Sequence, residues 1–419
     1  MITKAPASDG YFERIVVVTR RLRHACAAAP ACIARAGRMV ALVHLTLLLA
    51  GCTHVQSVGE RFAAMPPVDD VVTSTAWYRP TVVVRGARQA NRSDRATPQQ
   101  LSLAPKWSAA IDGAIRYESL SVVVRQHDRL VAEWHDAAGG PARRYDSQSM
   151  HRGLLALVVG AALADGSLPS VDTPIDRHVP EWRNDPRGRI TILDLLYGRS
   201  GFVDPAFEQK VDNAGLRLFI GSDLEAQLLN IQPVAGAQPG RGGAIESQLL
   251  GLILERATRK SYASYLSEKI WRPIGAGDAL VRLDRPGGNT RTLCCLQASA
   301  RDWARVGQLV LDRGRAGDRQ LLGADWIARL AVPGPAIPNM SMYWFVKPTP
   351  LAPREFGRDK MPATPTPFAR PDVFYAGGRG GIRVYVIPSL EAVVVRLGKL
   401  RYDFDDGQFL NPFLEALAQ

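Results

Sequence analysis

Residues 150–164 constrain this chain more than any other stretch. Leu154, Leu155, Leu157, Val158, Val159 and Leu163 leave no polar stripe, and Asp165-Gly166 ends the run. A helix that is apolar on every face has no side for water, so it belongs at the centre of a domain. Strand signals flank it. Residues 120–124 and 130–134 are β-branched runs around the polar turn 126–129, which predicts a hairpin. The C-terminal part returns to strands over 382–387 and 392–397, separated by Pro388-Ser389, with a last helix near 409–417. Helical patterns over 192–196, 248–257, 262–271 and 300–312 lie between. Strands at both ends with helices between predict an α+β domain, its antiparallel sheet assembled from both termini beside a helical region.

Hydrophobic residues make up 46% of the 419, and charged residues 22%. That balance excludes disordered, collagen-like and coiled-coil chains. The longest apolar run, residues 39–51, is too short to span a bilayer. The net charge of +12 raises the question of nucleic acid. Residues 1–51 hold seven Lys and Arg against two acids, and no Lys/Arg stripe with interleaved aromatics follows, so no nucleic-acid partner is expected.

Arg35 and Arg38 precede the apolar run, and Leu49-Ala50-Gly51-Cys52 ends it. Basic flank, apolar core and small residues are the order of a secretory signal. The last four resemble a bacterial lipobox, which implies a lipid on Cys52, a leader over 1–51 longer than such a signal needs, and a tether over 52–69. Residues 70–109 read as an irregular lead-in and 110–419 as the functional domain. The implied location is the periplasm, on a lipid anchor, with the outer membrane favoured because Thr53 follows the cysteine. Three of the five cysteines lie at or before Cys52, leaving the adjacent Cys294 and Cys295. Bridged cysteines prefer well-separated Cα atoms, so two buried thiols are expected. No metal site or cofactor is expected.

No histidine lies beyond His178 and there is no G-x-S-x-G elbow, which excludes the Ser, acid, His order of an α/β-hydrolase. Residues 146–152, Asp-Ser-Gln-Ser-Met-His-Arg, open the buried helix. Ser149 there fits a plain N-cap. It also fits a nucleophile whose backbone N–H helps hold an oxyanion, with residue 152 one turn on along the same face. His151 points away from that face.

The segment resembles the S-x-x-K helix of the serine β-lactamase and penicillin-recognising superfamily, in its class C-like branch of esterases, peptidases and 6-aminohexanoate-dimer hydrolases. Matches follow in order over 160–166, 179–182, 190–196 with Ser200-Gly201, 248–258, 270–276 and 294–307, covering about 110–419. The resemblance implies a β-lactamase/transpeptidase-like fold, Ser149 as nucleophile, and a small-molecule or peptidoglycan-like substrate.

The chain departs from that family where protons move. Arg152 stands at the lysine position, and arginine effectively never deprotonates. Aligned on Gln248, Gly242 falls at the tyrosine position and Ala244 at the asparagine. Glu246 or Ser247 offers a substitute, though both more simply fit helix N-terminal capping. Tyr375, Ala376, Gly377 and Gly378 resemble the substrate-lining strand, with the Arg379 N–H as second oxyanion donor. The residues therefore leave open an attenuated hydrolase, a binding module holding an envelope ligand, and a structural lipoprotein.

Overall fold

The computed structural model describes residues 56–67, 70–87, 99–100, 105–137, 139–240, 243–348, 365–401 and 403–419. In chain order, helix α1 (Val58–Ala64) and strand β1 (Thr81–Val84) lead to β2 (Gln99–Gln100), α2 (Ser108–Arg116), β3 (Ser119–Gln126) and β4 (Arg129–His135). Strand β5 (Tyr145–Asp146) precedes the long helix α3 (His151–Ala164). Then come α4 (Ala214–Ile220), α5 (Gly243–Thr258), β6 (Ala279–Arg282), β7 (Gln297–Ala298) and α6 (Ala300–Leu311). The C-terminal part supplies β8 (Met340–Ser341), β9 (Trp344–Phe345), β10 (Phe374–Gly378), β11 (Ile382–Ile387), β12 (Ala392–Gly398) and α7 (Asp406–Leu417).

The main sheet has the order β8-β9-β10-β11-β12-β3-β4-β2, antiparallel except for the short β2–β4 pairing. The C-terminal strand β12 pairs with β3, from the start of the domain, so both ends of the domain build one sheet as expected. Successive side chains on a strand point to opposite faces. Phe374, Ala376, Val384, Val386, Val393 and Val395 thus enter the core that holds α3, α5 and α6, while Tyr375, Tyr385, Ile387 and Val394 enter a second core with α2 and α7. A four-stranded sheet, β1-β6-β7-β5, lies in the helical region.

Helix α3 is the apolar helix of the sequence reading, with residues 153–162 all buried and a stop at Gly166 in the left-handed region. Its glycines serve close approach. A Cβ on Gly160 would meet the Trp326 ring at 2.3 Å, and one on Gly153 would meet the Ala376 methyl at 2.7 Å. The central helix can therefore lie directly on β10.

The sequence expectations for 52–109 meet a different picture. Ser57 and Glu60 form a capping box on α1, and Arg61 is fully buried. Strand β1 pairs with β6 over its whole length. The stretches read as tether and lead-in thus contribute elements to a compact unit that runs from Val55 to Gln419. Residues 1–52, with Cys52, lie outside the described residues.

Candidate active site

The turn Gln148–Met150 delivers Ser149 to the N-terminal end of α3. Gln148 has φ +49, a left-handed conformation that costs a non-glycine residue about 1–2 kcal/mol and persists only where surroundings enforce it. They do so here. Asp146 accepts from both Gln148 N and Gln148 Nε2 at 2.8 Å, and is itself ion-paired to the buried Arg282 at 2.6 Å.

The other support is segment 293–296. Ser147 N donates to Leu296 O at 3.0 Å, and Cys295 N to Gln148 O at 3.2 Å. His151 Nδ1 lies 2.9 Å from Cys294 O, and Arg152 Nε donates to Leu293 O at 2.9 Å. A carbonyl only accepts, so His151 carries its proton on Nδ1, and its Nε2 accepts from Tyr262 Oη at 2.9 Å. Burial pushes the His151 pKa down to about 4, and this neutral ring faces away from Ser149 chemistry. Cys294 and Cys295, expected as two thiols, are instead joined to each other, with Cα atoms 3.7 Å apart and Cys295 in the left-handed region at φ +78.

Ser149 is half-buried, and no hydrogen bond to its Oγ is present among the described residues. The end of β10 lies against its turn. A Cβ on Gly378 would meet Ser147 O at 2.7 Å and Met150 N at 3.2 Å. Buried arginines tie down the carbonyls that bracket Arg379: Arg383 Nη1 donates to Gly378 O at 2.6 Å, and Arg396 Nη1 to Gly381 O at 2.7 Å. The fold thus brings Ser149, Arg152, Gly378 and Arg379 together. Ala376 packs on Gly153 of α3. Tyr375 and Gly377 face the opposite side of the sheet, where Tyr375 stacks on Phe345 at 5.1 Å and its hydroxyl reaches Asp406 and Lys347 O at 3.4 Å.

The guanidinium of Arg152 crosses to the first turn of α5, where a Cβ on Gly243 would come within 2.7 Å of its Nη1. Gly242, at the family tyrosine position, lies outside the described residues. Capping of α5 falls to neither Glu246 nor Ser247. Asp204 accepts from Ala244 N at 2.8 Å and Ile245 N at 3.0 Å, while Ser247 Oγ donates back to Gly243 O at 2.6 Å. Glu246 is only 1% exposed, accepts from Ser200 Oγ at 2.5 Å, and has no partner for Oε2 among the described residues. Burial raises its pKa to about 7; the Asp204 charge adds to the rise and Arg152 opposes it. Tyr343, which sequence reasoning missed, is also buried within electrostatic reach of Arg152 and Glu246, but its hydroxyl donates to Leu195 O at 2.9 Å. No local pattern marks Asp204 or Tyr343, because each meets α5 or α3 from a distant part of the chain. Among the described residues no group of three or more His, Cys, Asp or Glu could hold a metal ion.

The beta-lactamase family model matches residues 107–419. The 6-aminohexanoate-dimer hydrolase of Paenarthrobacter ureafaciens is 26% identical over 227 residues, which cover 51% of this chain and 57% of that relative. The chain thus spans little more than half the length of that curated relative. Solved structures share the fold. One from Bacillus anthracis, provisionally assigned as a 6-aminohexanoate-dimer hydrolase, aligns with TM-score 0.64 at 18% identity over 84% of this chain and 94% of its own. A class C beta-lactamase from Rhodobacter sphaeroides aligns with TM-score 0.52 at 18% identity, over 74% and 98%. With the serine at the head of the buried central helix and the terminal strands laid against it, the chain belongs to the beta-lactamase family of serine hydrolases.

Proposed function

We propose that the protein cleaves amide or ester bonds through an acyl-Ser149 intermediate, at a rate attenuated by Arg152. The observation that carries this reading is the contact between the Gly378 end of β10 and the Ser149 turn. It supports two backbone donors, the N–H groups of Ser149 and Arg379, converging on the oxygen of an attacked carbonyl, and removing one such donor typically costs about 10²–10³ in rate. Ser149 Oγ bonds to the carbonyl carbon, the leaving group departs with a proton, and water later releases the acyl group. Arg152 cannot take the serine proton. Glu246, a buried carboxyl raised toward neutrality, is engaged by Ser200 Oγ and makes no hydrogen bond to Ser149 among the described residues, so it does not stand in for the missing lysine. The relatives named as a 6-aminohexanoate-dimer hydrolase and, in Caulobacter crescentus, a penicillin-binding protein homolog favour a small or peptidoglycan-like amide substrate.

The mature protein is proposed to sit in the periplasm, held to the outer membrane by lipid on Cys52. Support is the order of basic flank, apolar core and lipobox over 35–52. A second reading, a ligand-binding module without turnover, draws on the commitment of Arg152 to Leu293 O and the lack of a partner for Ser149 Oγ among the described residues. A fluorophosphonate probe on residues 53–419 separates the two. Labelling that disappears in Ser149→Ala supports the enzyme, and labelling that is absent or independent of Ser149 leaves the binding module. Incorporation of a fatty-acid analogue that is lost in Cys52→Ala tests the anchor.

A further inference from the structure

Segment 293–296 touches the nucleophile turn with unusual regularity. Four consecutive residues each supply one backbone group: Leu293 O to Arg152, Cys294 O to His151, Cys295 N to Gln148 O, and Leu296 O to Ser147 N. Every residue of 147–152 except Ser149 and Met150 is therefore held by this segment. Two of the four links leave from the bonded cysteines. Cys295, at φ +78, donates to Gln148, at φ +49, so two non-glycine residues in the left-handed region are bonded to each other. Each such conformation is unfavourable by about 1–2 kcal/mol on its own and requires an external constraint. At Gln148 the constraint is Asp146. At Cys295 it is the covalent ring closed through the Cys294–Cys295 peptide, which removes the torsional freedom the two residues would have as thiols.

We propose that the Cys294–Cys295 disulfide positions Ser149, so that the reactivity of this serine depends on whether the pair is bonded. The inference rests on the reading of Ser149 as nucleophile. Reduction by a dithiol proceeds through attack of one reductant sulfur on a cysteine sulfur to give a mixed disulfide. The second reductant thiolate then closes a ring on the reductant, and two electrons and two protons remain on the protein as two thiols. Cys295 then relaxes toward negative φ, its N–H leaves Gln148 O, and the Cys294 carbonyl turns from His151. Misplacement of a reacting group by about 1 Å can lower a rate by about 10²-fold.

The test measures fluorophosphonate labelling of Ser149 on residues 53–419 as purified, after dithiothreitol, and after reoxidation, alongside a Cys294→Ser/Cys295→Ser double variant. Expected is labelling at least tenfold slower in the reduced protein and in the double variant, with recovery on reoxidation in the parent alone. Equal rates in all forms, or two alkylatable thiols at these positions in the air-oxidised parent, would overturn the proposal. If the parent shows no Ser149-dependent labelling in any form, the acyl-enzyme reading fails, and amide hydrogen exchange over 147–152 decides the positioning role. Faster exchange after reduction upholds it, and identical exchange in the two forms sinks it.

Discussion

Arg152 Nε donates to Leu293 O at 2.9 Å, and the same guanidinium reaches the first turn of α5 at Gly243. The residue at the family lysine position is thus a fixed cation bridging the floor of the site to a neighbouring helix. Its charge raises no base, but it lies on the same helix face as Ser149.

An Arg152→Lys variant should therefore gain reactivity. A desolvated lysine amine can lose its proton, which a guanidinium effectively cannot. General-base assistance is typically worth about 10²–10⁴ in rate, and allowing for imperfect placement the Ser149 labelling rate should rise at least tenfold. The measurement is the second-order labelling rate between pH 6 and 10; a rate equal to the parent's throughout would show that the missing lysine is not what limits the site.

Glu246 and His151 should give the stability a distinctive pH profile. The Glu246 pKa is raised from 4.5 to about 7, so its contribution is full below pH 4.5 and is lost as pH rises through 7. The His151 pKa is lowered from 6.5 to about 4, so its contribution is full above pH 6.5 and is lost as pH falls through 4. Between pH 4.5 and 6.5 the two slopes oppose each other, within a profile that the raised Glu255 and the lowered His178 also shape. Glu246→Gln removes one of the two slopes, and across that window its stability should gain on the parent's by up to roughly 1.4 kcal/mol per unit. Urea midpoints at pH 4.5, 5.5 and 6.5 decide; parallel profiles for parent and variant would mean that Glu246 titrates as an ordinary carboxyl.

How much of this could be read from the sequence depends on the range of the contacts. The apolar run of α3, the β3–β4 hairpin and the β11–β12 pair are written in local periodicity, which by itself puts Ser149 at a helix start. The face of Tyr375 was not legible in the same way. Alternation says only that Tyr375 and Ala376 face opposite ways, and which side carries α3 is decided by the helix packed there. Helix capping failed for a related reason. Glu246 has the right type and place for a cap, but Asp204, some forty positions earlier, reaches the same N–H groups first. The bonded cysteines were missed because sequence adjacency argues against a bridge unless one residue takes a left-handed backbone, as Cys295 does.

Gly378→Ala should slow Ser149 acylation and lower the melting temperature. Its backbone, at φ −113 and ψ 173, suits any residue, so only space is at issue. The added methyl would sit 2.7 Å from Ser147 O and 3.2 Å from Met150 N, pushing the strand end and the nucleophile turn apart. A shift of even part of an ångström at an oxyanion donor should cost at least tenfold in labelling rate. Labelling kinetics together with a thermal melt check this. Unchanged labelling would remove the Arg379 end of β10 from the site.

Arg61→Met tests whether the segment before residue 70 is part of the folded unit. Arg61 is fully buried, and it donates to Arg79 O at 2.9 Å, Ile220 O at 2.7 Å, Gly221 O at 3.2 Å and Asp284 O at 2.8 Å. It thereby ties α1 to the end of α4 and to the segment just after β6. Burial lowers its pKa, yet a guanidinium remains charged across the physiological range, so the carbonyls receive charge-assisted bonds. Methionine fills much of the same volume and supplies no donor. An unsatisfied buried acceptor costs about 1–3 kcal/mol, and relaxation of some of the four toward water should leave a net loss of about 3 kcal/mol. Deletion of residues 53–66 should cost at least as much, because it also exposes the apolar surface that Val58, Phe62 and Met65 cover around Tyr78. Urea unfolding of the parent, the point variant and the deletion decides the matter. Equal midpoints for all three would return these residues to the role of a tether.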